Sequence, residues 1–201
     1  QHNMDTSIDL QRDYVSLPAR RLLQQIQISE LPAPASTIFS QWNYQLERDS
    51  SAATLFEVWM NRHLTPMVIA TVTGIDDPAA LASLDNLSAI DEFEKLNETR
   101  RTQIVADSMA EAILDVEALM GADPTNWQWG RLHKMKFTHP LVDLVDEDTQ
   151  ALLSIPIVSR GGSGDTANST RYRKDFSVAS GGSWRMVIDV GEWDNAVMTN
   201  A

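Results

Sequence analysis

The sequence contains no cysteine, which excludes disulfides, thiolate metal sites and a cysteine nucleophile and leaves the redox compartment undetermined. Positive charge is scarce: 16 Lys plus Arg stand against 28 Asp plus Glu, a formal net charge of -12. A surface of that sign repels a phosphate backbone and an anionic membrane alike, so no nucleic-acid partner is expected. Long apolar runs are missing too. Nothing approaches the roughly 18 residues of a membrane span, and the N-terminal stretch lacks the charged, apolar and small-residue succession of a signal peptide. The four histidines, His2, His63, His133 and His139, form no pair at the four-residue helical spacing of a zinc site, and read as structural, hydrogen-bonded side chains.

What remains is a chain of 201 residues with 43% hydrophobic content, long enough to enclose one sizeable core. From Asp9 to Ile28, Leu10, Tyr14, Leu17, Leu22, Leu23 and Ile26 recur at helical spacing, and Pro18 should kink that pattern or divide it. A short segment follows at Ser36 to Ser40. Ala52, Ala53, Leu55, Phe56, Trp59, Met60 and Leu64 form a second apolar stripe behind the start signal Ser50-Ser51. Asp76, Asp77 and Pro78 mark a turn, and Leu81 to Leu96 reads as one or two short acidic helices. Arg100 to Met120 is the clearest helix, with Ile104, Val105, Met109, Ile113, Val116 and Leu119 on one face and Gly121 at the capping position.

Beyond Gly121 the pattern changes to short β-type runs bounded by Gly, Pro, Asn and Asp: Leu132 to Thr138, Ile155 to Val158, Arg171 to Val178, Ser183 to Val190 and Ala196 to Thr199. A helical stretch 1–121 followed by a strand-rich stretch 122–201 predicts an α+β arrangement rather than alternating parallel units. Gly161-Gly162-Ser163-Gly164-Asp165-Thr166 has no following Lys and no strand-to-helix context, so a tight turn between strands is favoured over a phosphate cradle. Trp127, Trp129, Phe137, Trp184 and Trp193 read as core aromatics rather than a pocket lining. The basic run Arg171, Arg173, Lys174 reads as a solvated face. On these grounds the residues specify an acidic α+β domain and no chemistry.

The order of six blocks carries more. Ser16-Leu17-Pro18-Ala19-Arg20-Arg21-Leu22-Leu23 is followed by Ser51-Ala52-Ala53-Thr54-Leu55-Phe56-Glu57-Val58-Trp59, then by Trp127-Gln128-Trp129-Gly130-Arg131-Leu132-His133 and Phe137-Thr138-His139-Pro140-Leu141. Gly161 to Thr166 comes next, and Gly182-Ser183-Trp184-Arg185-Met186-Val187-Ile188-Asp189 closes the series. This succession resembles the C-terminal part of the large β subunit of penicillin acylase family enzymes and covers nearly the whole chain.

The resemblance implies one portion, residues 1–201, of an N-terminal nucleophile hydrolase with a four-layer αββα fold, made as a self-cleaving precursor. It implies an N-terminal Ser that attacks an amide carbonyl, with its own α-amine as general base. Gln1 cannot play that part. The nucleophile, the oxyanion-hole Asn and the calcium ligands of the family belong upstream of the matched region, so no cofactor is expected in this segment. The expected partners are therefore the α subunit and the N-terminal part of the β subunit, together with a small N-acyl substrate such as a β-lactam antibiotic or an acyl-homoserine lactone. A dimer through exposed strand edges is a further expectation. The resemblance implies a bacterial, periplasmic or extracellular enzyme. Asp189 is the single candidate catalytic residue: it occupies the motif position of an acidic residue that orients a His beside the nucleophile, with a turn cap or a pairing with Arg185 as the plainer reading. The rival reading of the whole chain is a stand-alone, non-catalytic binding module derived from the same family.

Overall fold

The computed structural model describes residues 3–75 and 85–200. The turn expected at Asp76, Asp77 and Pro78 and the beginning of the Leu81 to Leu96 stretch lie outside the described residues.

Helix α1 (Met4–Gln11) opens with a capping box between Asn3 and Thr6. Helix α2 (Leu17–Leu23) starts at Ser16, whose hydroxyl accepts from the Ala19 N–H. The division expected at Pro18 thus falls before it, because Pro18 sits in the first turn of α2, where its missing N–H has no helical partner to lose. Leu10 and Leu17, counted on the apolar stripe, are exposed, and α1 has no buried residue.

Helix α3 (Ala35–Ser40) leads to α4 (Ser51–Val58), capped by Ser50. The chain then passes without a break through a π-helical turn, Trp59–Leu64, into α5 (Thr65–Thr73), which ends at Gly74 in the left-handed conformation. Helix α6 (Asn86–Lys95) is joined to α2 where the Arg21 guanidinium meets Glu94 and Asp91. The long helix α7 (Glu98–Met120) is capped by Asn97 and packs on α4 and the π turn. Its buried face carries Ile104, Val105, Met109, Ile113 and Val116 as the spacing predicts, while Leu119 lies exposed. Trp59 fills the space between these helices, and its indole N–H donates to Ser108 on α7 at 2.8 Å.

The second half holds less strand than its sequence suggests. Trp129–Leu132 is a single helical turn (α8), and the run expected from Leu132 to Thr138 pairs only at Lys134–Met135 (β1). The partner of β1 is Val158–Ser159 (β2), and a short helix, Glu147–Leu153 (α9), lies between them in sequence. Arg171 to Val178 is not one strand but two. Arg171–Tyr172 (β3) pairs antiparallel with Val178–Ser180 (β4) around a turn in which Asp175 accepts from Ser177 and Phe176 adopts φ 65. Trp184–Ile188 (β5) and Ala196–Asn200 (β6) form the longest ribbon. The described residues therefore show an α+β fold with three two-stranded antiparallel ribbons set against a helical body.

Gly161 to Thr166 lies between β2 and β3, where the sequence predicts a turn, and it is packed more deeply than a surface turn, with Gly161, Gly162, Ser163 and Thr166 all buried. Gly162 has φ +80, its N–H donates to Leu46 O at 2.8 Å, and a Cβ at this position would stand 2.8 to 2.9 Å from Asn168 Oδ1, Thr170 Oγ1 and Thr166 Oγ1. Only glycine meets both demands.

Candidate functional site

Three of the six sequence blocks converge. Trp129 projects from α8 into the interior, where its indole N–H donates to Gly162 O at 2.9 Å, tying the W-x-W-G-x-L-H block to the glycine loop. Gly130 lets this turn approach the chain before α4: its N–H donates to Arg48 O at 2.6 Å, and a Cβ there would lie 3.0 Å from the Cβ atoms of Arg48 and Ser159. Four residues after Trp129, the His133 ring stacks on the indole at 4.8 Å with an interplanar angle of 9°. Tyr172 and Phe176 from the β3/β4 hairpin close the box edge-on. The Arg62 guanidinium covers the Phe176 ring at 4.4 Å, a cation–π contact that links the π turn to the hairpin.

At the centre of this convergence lies Glu57, on the last turn of α4 and 1% exposed. The Tyr172 hydroxyl donates to Glu57 Oε2, and Asn61 Nδ2 donates to the Glu57 carbonyl at 2.9 Å. Glu57 Oε1 has no protein partner among the described residues. Burial pushes this carboxyl up to about 8; Asp165 in the glycine loop adds to the rise, and the hydrogen bonds from Tyr172 and Asn61 only partly offset it. Asp165 is held in turn by Asn86 of α6, whose Nδ2 donates to it at 2.6 Å. Burial and the neighbouring Glu57 carboxyl push the Tyr172 phenol well above its ordinary value. At neutral pH both groups therefore carry their protons.

His133 is fully buried. Its Nδ1 lies 3.1 Å from Phe176 O, which makes Nδ1–H the donor, and Nε2 has no protein partner among the described residues. Burial pushes its pKa down to about 4, so the ring is neutral. His63 on the π turn stands between Glu111 and Asp115 of α7, at 3.4 and 3.1 Å, and Arg62 pairs with the same Asp115. His139 accepts from the Leu141 N–H within its own turn. His133 fits the reading of a hydrogen-bonded histidine at the core and His63 is held among carboxylates, whereas His139 is exposed.

Glu57 escaped the sequence reading. The available signal was an acid among Ala53, Phe56, Met60 and Leu64, on the stripe predicted to face the core. The aromatic block divides: Trp127 and Trp129 are wholly buried, whereas Phe137, Trp184 and Trp193 are exposed, contrary to their reading as core. Phe137–Leu141 and Gly182–Asp189 do not join the convergence. Asp189 stands just past β5, where its Oδ1 accepts from the Gly191 N–H at 2.8 Å and its backbone pairs with Asn195 and Glu192. Arg185, its plainer candidate partner, donates instead to the carbonyls of Gln11 and Asn168.

Buried, protonated and neutral groups of this kind hold elements together and are closed to a substrate. Two surface depressions among the described residues, one bordered by Asp9, Tyr14 and Glu47 and the other by Gln25, Leu31 and Arg101, include neither Glu57 nor His133. Among the described residues no group of three or more His, Asp or Glu side chains is arranged to hold a metal ion.

Comparison with known proteins places the chain in a family. The model of the penicillin amidase family matches residues 1–201. The chain belongs to the penicillin amidase family. A curated relative, the acyl-homoserine lactone acylase QuiP of Pseudomonas fluorescens, is 32% identical over 101 residues. That alignment covers 49% of this chain and 11% of the relative's length. Three of the six ordered blocks gather around Glu57 and Trp129 in the structure. No helix among the described residues is long and apolar enough to cross a membrane.

Proposed function

We propose that this chain is a scaffold portion of a penicillin-amidase-family amide hydrolase that cleaves N-acyl compounds, with β-lactam antibiotics and acyl-homoserine lactones as the substrate classes. The observation that carries this reading is the family match across residues 1–201, supported by a relative whose name states acyl-homoserine lactone acylase activity. The chemistry is that of an N-terminal serine contributed by another segment of the enzyme. Its hydroxyl adds to the amide carbonyl while its α-amine takes the proton; the amine product leaves with that proton, and water then releases the acid from the acyl-enzyme. An α-amino group, with an ordinary pKa of about 7.7–8.0, is suited to that exchange near neutral pH.

Within this reading the 201 residues supply a stable body, and the sealed Glu57, Tyr172 and Trp129 cluster is its keystone. Asp189 is the residue through which the chain reaches the chemistry: standing after β5, its carboxylate orients an imidazole from another segment while Oδ1 accepts from the Gly191 N–H. The calcium ligands of such an enzyme lie in other segments, and its location is periplasmic or extracellular.

The test is to express the complete reading frame that contains this sequence and, separately, the 201-residue chain, and to assay both with a phenylacetyl amide and an acyl-homoserine lactone. Turnover by the complete protein alone is the expected result. Turnover by the pure 201-residue chain would overturn the scaffold role, and inactivity of the complete protein toward both classes would overturn the substrate assignment.

A further inference from the structure

Between β1 and β2 the chain makes an excursion in which no residue from 136 to 159 is buried. It is not featureless. A 3-10 turn, Val142–Leu144, packs on α9, Asp146 caps α9 by accepting from the Thr149 N–H at 2.8 Å, and Gln150 Nε2 donates to Val145 O at 3.1 Å. Val142, Val145 and Leu153 are half-buried within this small unit. The opposite character belongs to Leu141, Leu144, Leu152, Ile155 and Ile157, which are 50%, 78%, 86%, 55% and 59% exposed. Single exposed aliphatic residues are ordinary on a protein surface, but five large ones on one ordered arm of this length are the signature of a surface made to be covered.

We propose that this arm, residues 137–158, is a docking element that seats on another segment of the same penicillin-amidase-family enzyme. The inference rests on the reading of the chain as part of such an enzyme. Two observations choose the occupant. The alignment with the acyl-homoserine lactone acylase covers only 11% of that protein, so that relative carries much more polypeptide than the region it shares with this chain. The arm also contains Asp143, Asp146, Glu147 and Asp148 and no Lys or Arg between positions 137 and 159. The surface that receives it is therefore apolar with a basic rim. The same arm of a second copy would set these carboxylates against like charge, and an anionic bilayer is repelled for the same reason.

The experiment is site-specific photo-crosslinking in the complete enzyme, with a photoreactive amino acid in place of Leu152 and, in a second protein, in place of Leu144. Both residues are largely exposed, at 78% for Leu144 and 86% for Leu152, so the replacements disturb little of the packing. Irradiation followed by peptide mapping is expected to yield adducts to enzyme segments outside residues 1–201. Adducts confined to residues 1–201 of a second copy, or reaction with water alone, would overturn the proposal. Leu144→Asp with Leu152→Asp is expected to speed amide exchange across 141–157 by at least about tenfold while the buried loop 161–170 stays protected, as local release without unfolding requires. Unchanged exchange would likewise overturn it. Amidase assays on the same preparations separate the two readings: an active enzyme without the crosslinks refutes the docking role alone, and crosslinks in an inactive enzyme refute the activity alone.

Discussion

Replacing Glu57 by Gln keeps the shape of the buried carboxylic acid and removes its ability to ionise. The carboxyl ordinarily titrates at 4.5 and is pushed up to about 8 in the folded protein. Between those values the folded chain holds a proton that the unfolded chain has lost. Stability therefore falls with rising pH, by about 1.4 kcal/mol per pH unit. Across the whole window this amounts to about 5 kcal/mol, a large share of the stability of an ordinary domain. His133 acts in the opposite sense. Its pKa is pushed from 6.5 down to about 4, so its contribution is intact above 6.5 and is lost as pH falls toward 4. Below about pH 6.5 the two effects oppose each other, and above it Glu57 alone remains. Urea unfolding of the wild-type chain and Glu57→Gln in matched buffers from about pH 5 to about pH 9 isolates the Glu57 contribution, because titrations common to both proteins cancel in the difference. The variant should gain on the wild type by about 1.4 kcal/mol per pH unit up to about pH 8 and hold a constant margin beyond. Parallel curves would show that Glu57 is ionised throughout, and the account of the buried cluster would be wrong.

Trp129→Ala removes a fully buried indole, its hydrogen bond to Gly162 and the surface on which His133 stacks. It should cost at least about 3–5 kcal/mol in chemical denaturation, whereas Phe137→Ala, at a 46% exposed position, should leave the midpoint nearly unchanged. Gly162→Ala meets both a positive φ and three oxygens within 2.9 Å. It should lower the thermal midpoint by more than an exposed Gly191→Ala change does, and equal midpoints would contradict the packing of that loop. In the complete enzyme, Asp189→Asn should reduce kcat about tenfold or more with folding unchanged if the carboxylate orients the site. Unchanged kcat with lower stability would leave it as the cap of the β5–β6 turn.

Much of the helical half could be read in advance because helices are local. The stripe from Ala52 to Leu64 and the face of α7 from Ile104 to Val116 depend on spacing alone, and Ser16, Ser50 and Asn97 cap their helices through neighbours within three residues. The strand half was less legible. Whether Leu132 to Thr138 or Arg171 to Val178 forms a strand depends on what lies beside it. A Trp129–Leu132 turn that buries an indole and a Phe176 turn that closes the aromatic box both overrode local β character. The family could be recognised from six blocks in order, since that property belongs to the linear chain. Glu57 could not be recognised as protonated, nor Gly161 to Thr166 as buried. The charge state of a carboxyl is set by the solvent it loses and by Asp165 and Tyr172, more than a hundred residues away, and only the folded chain brings them together.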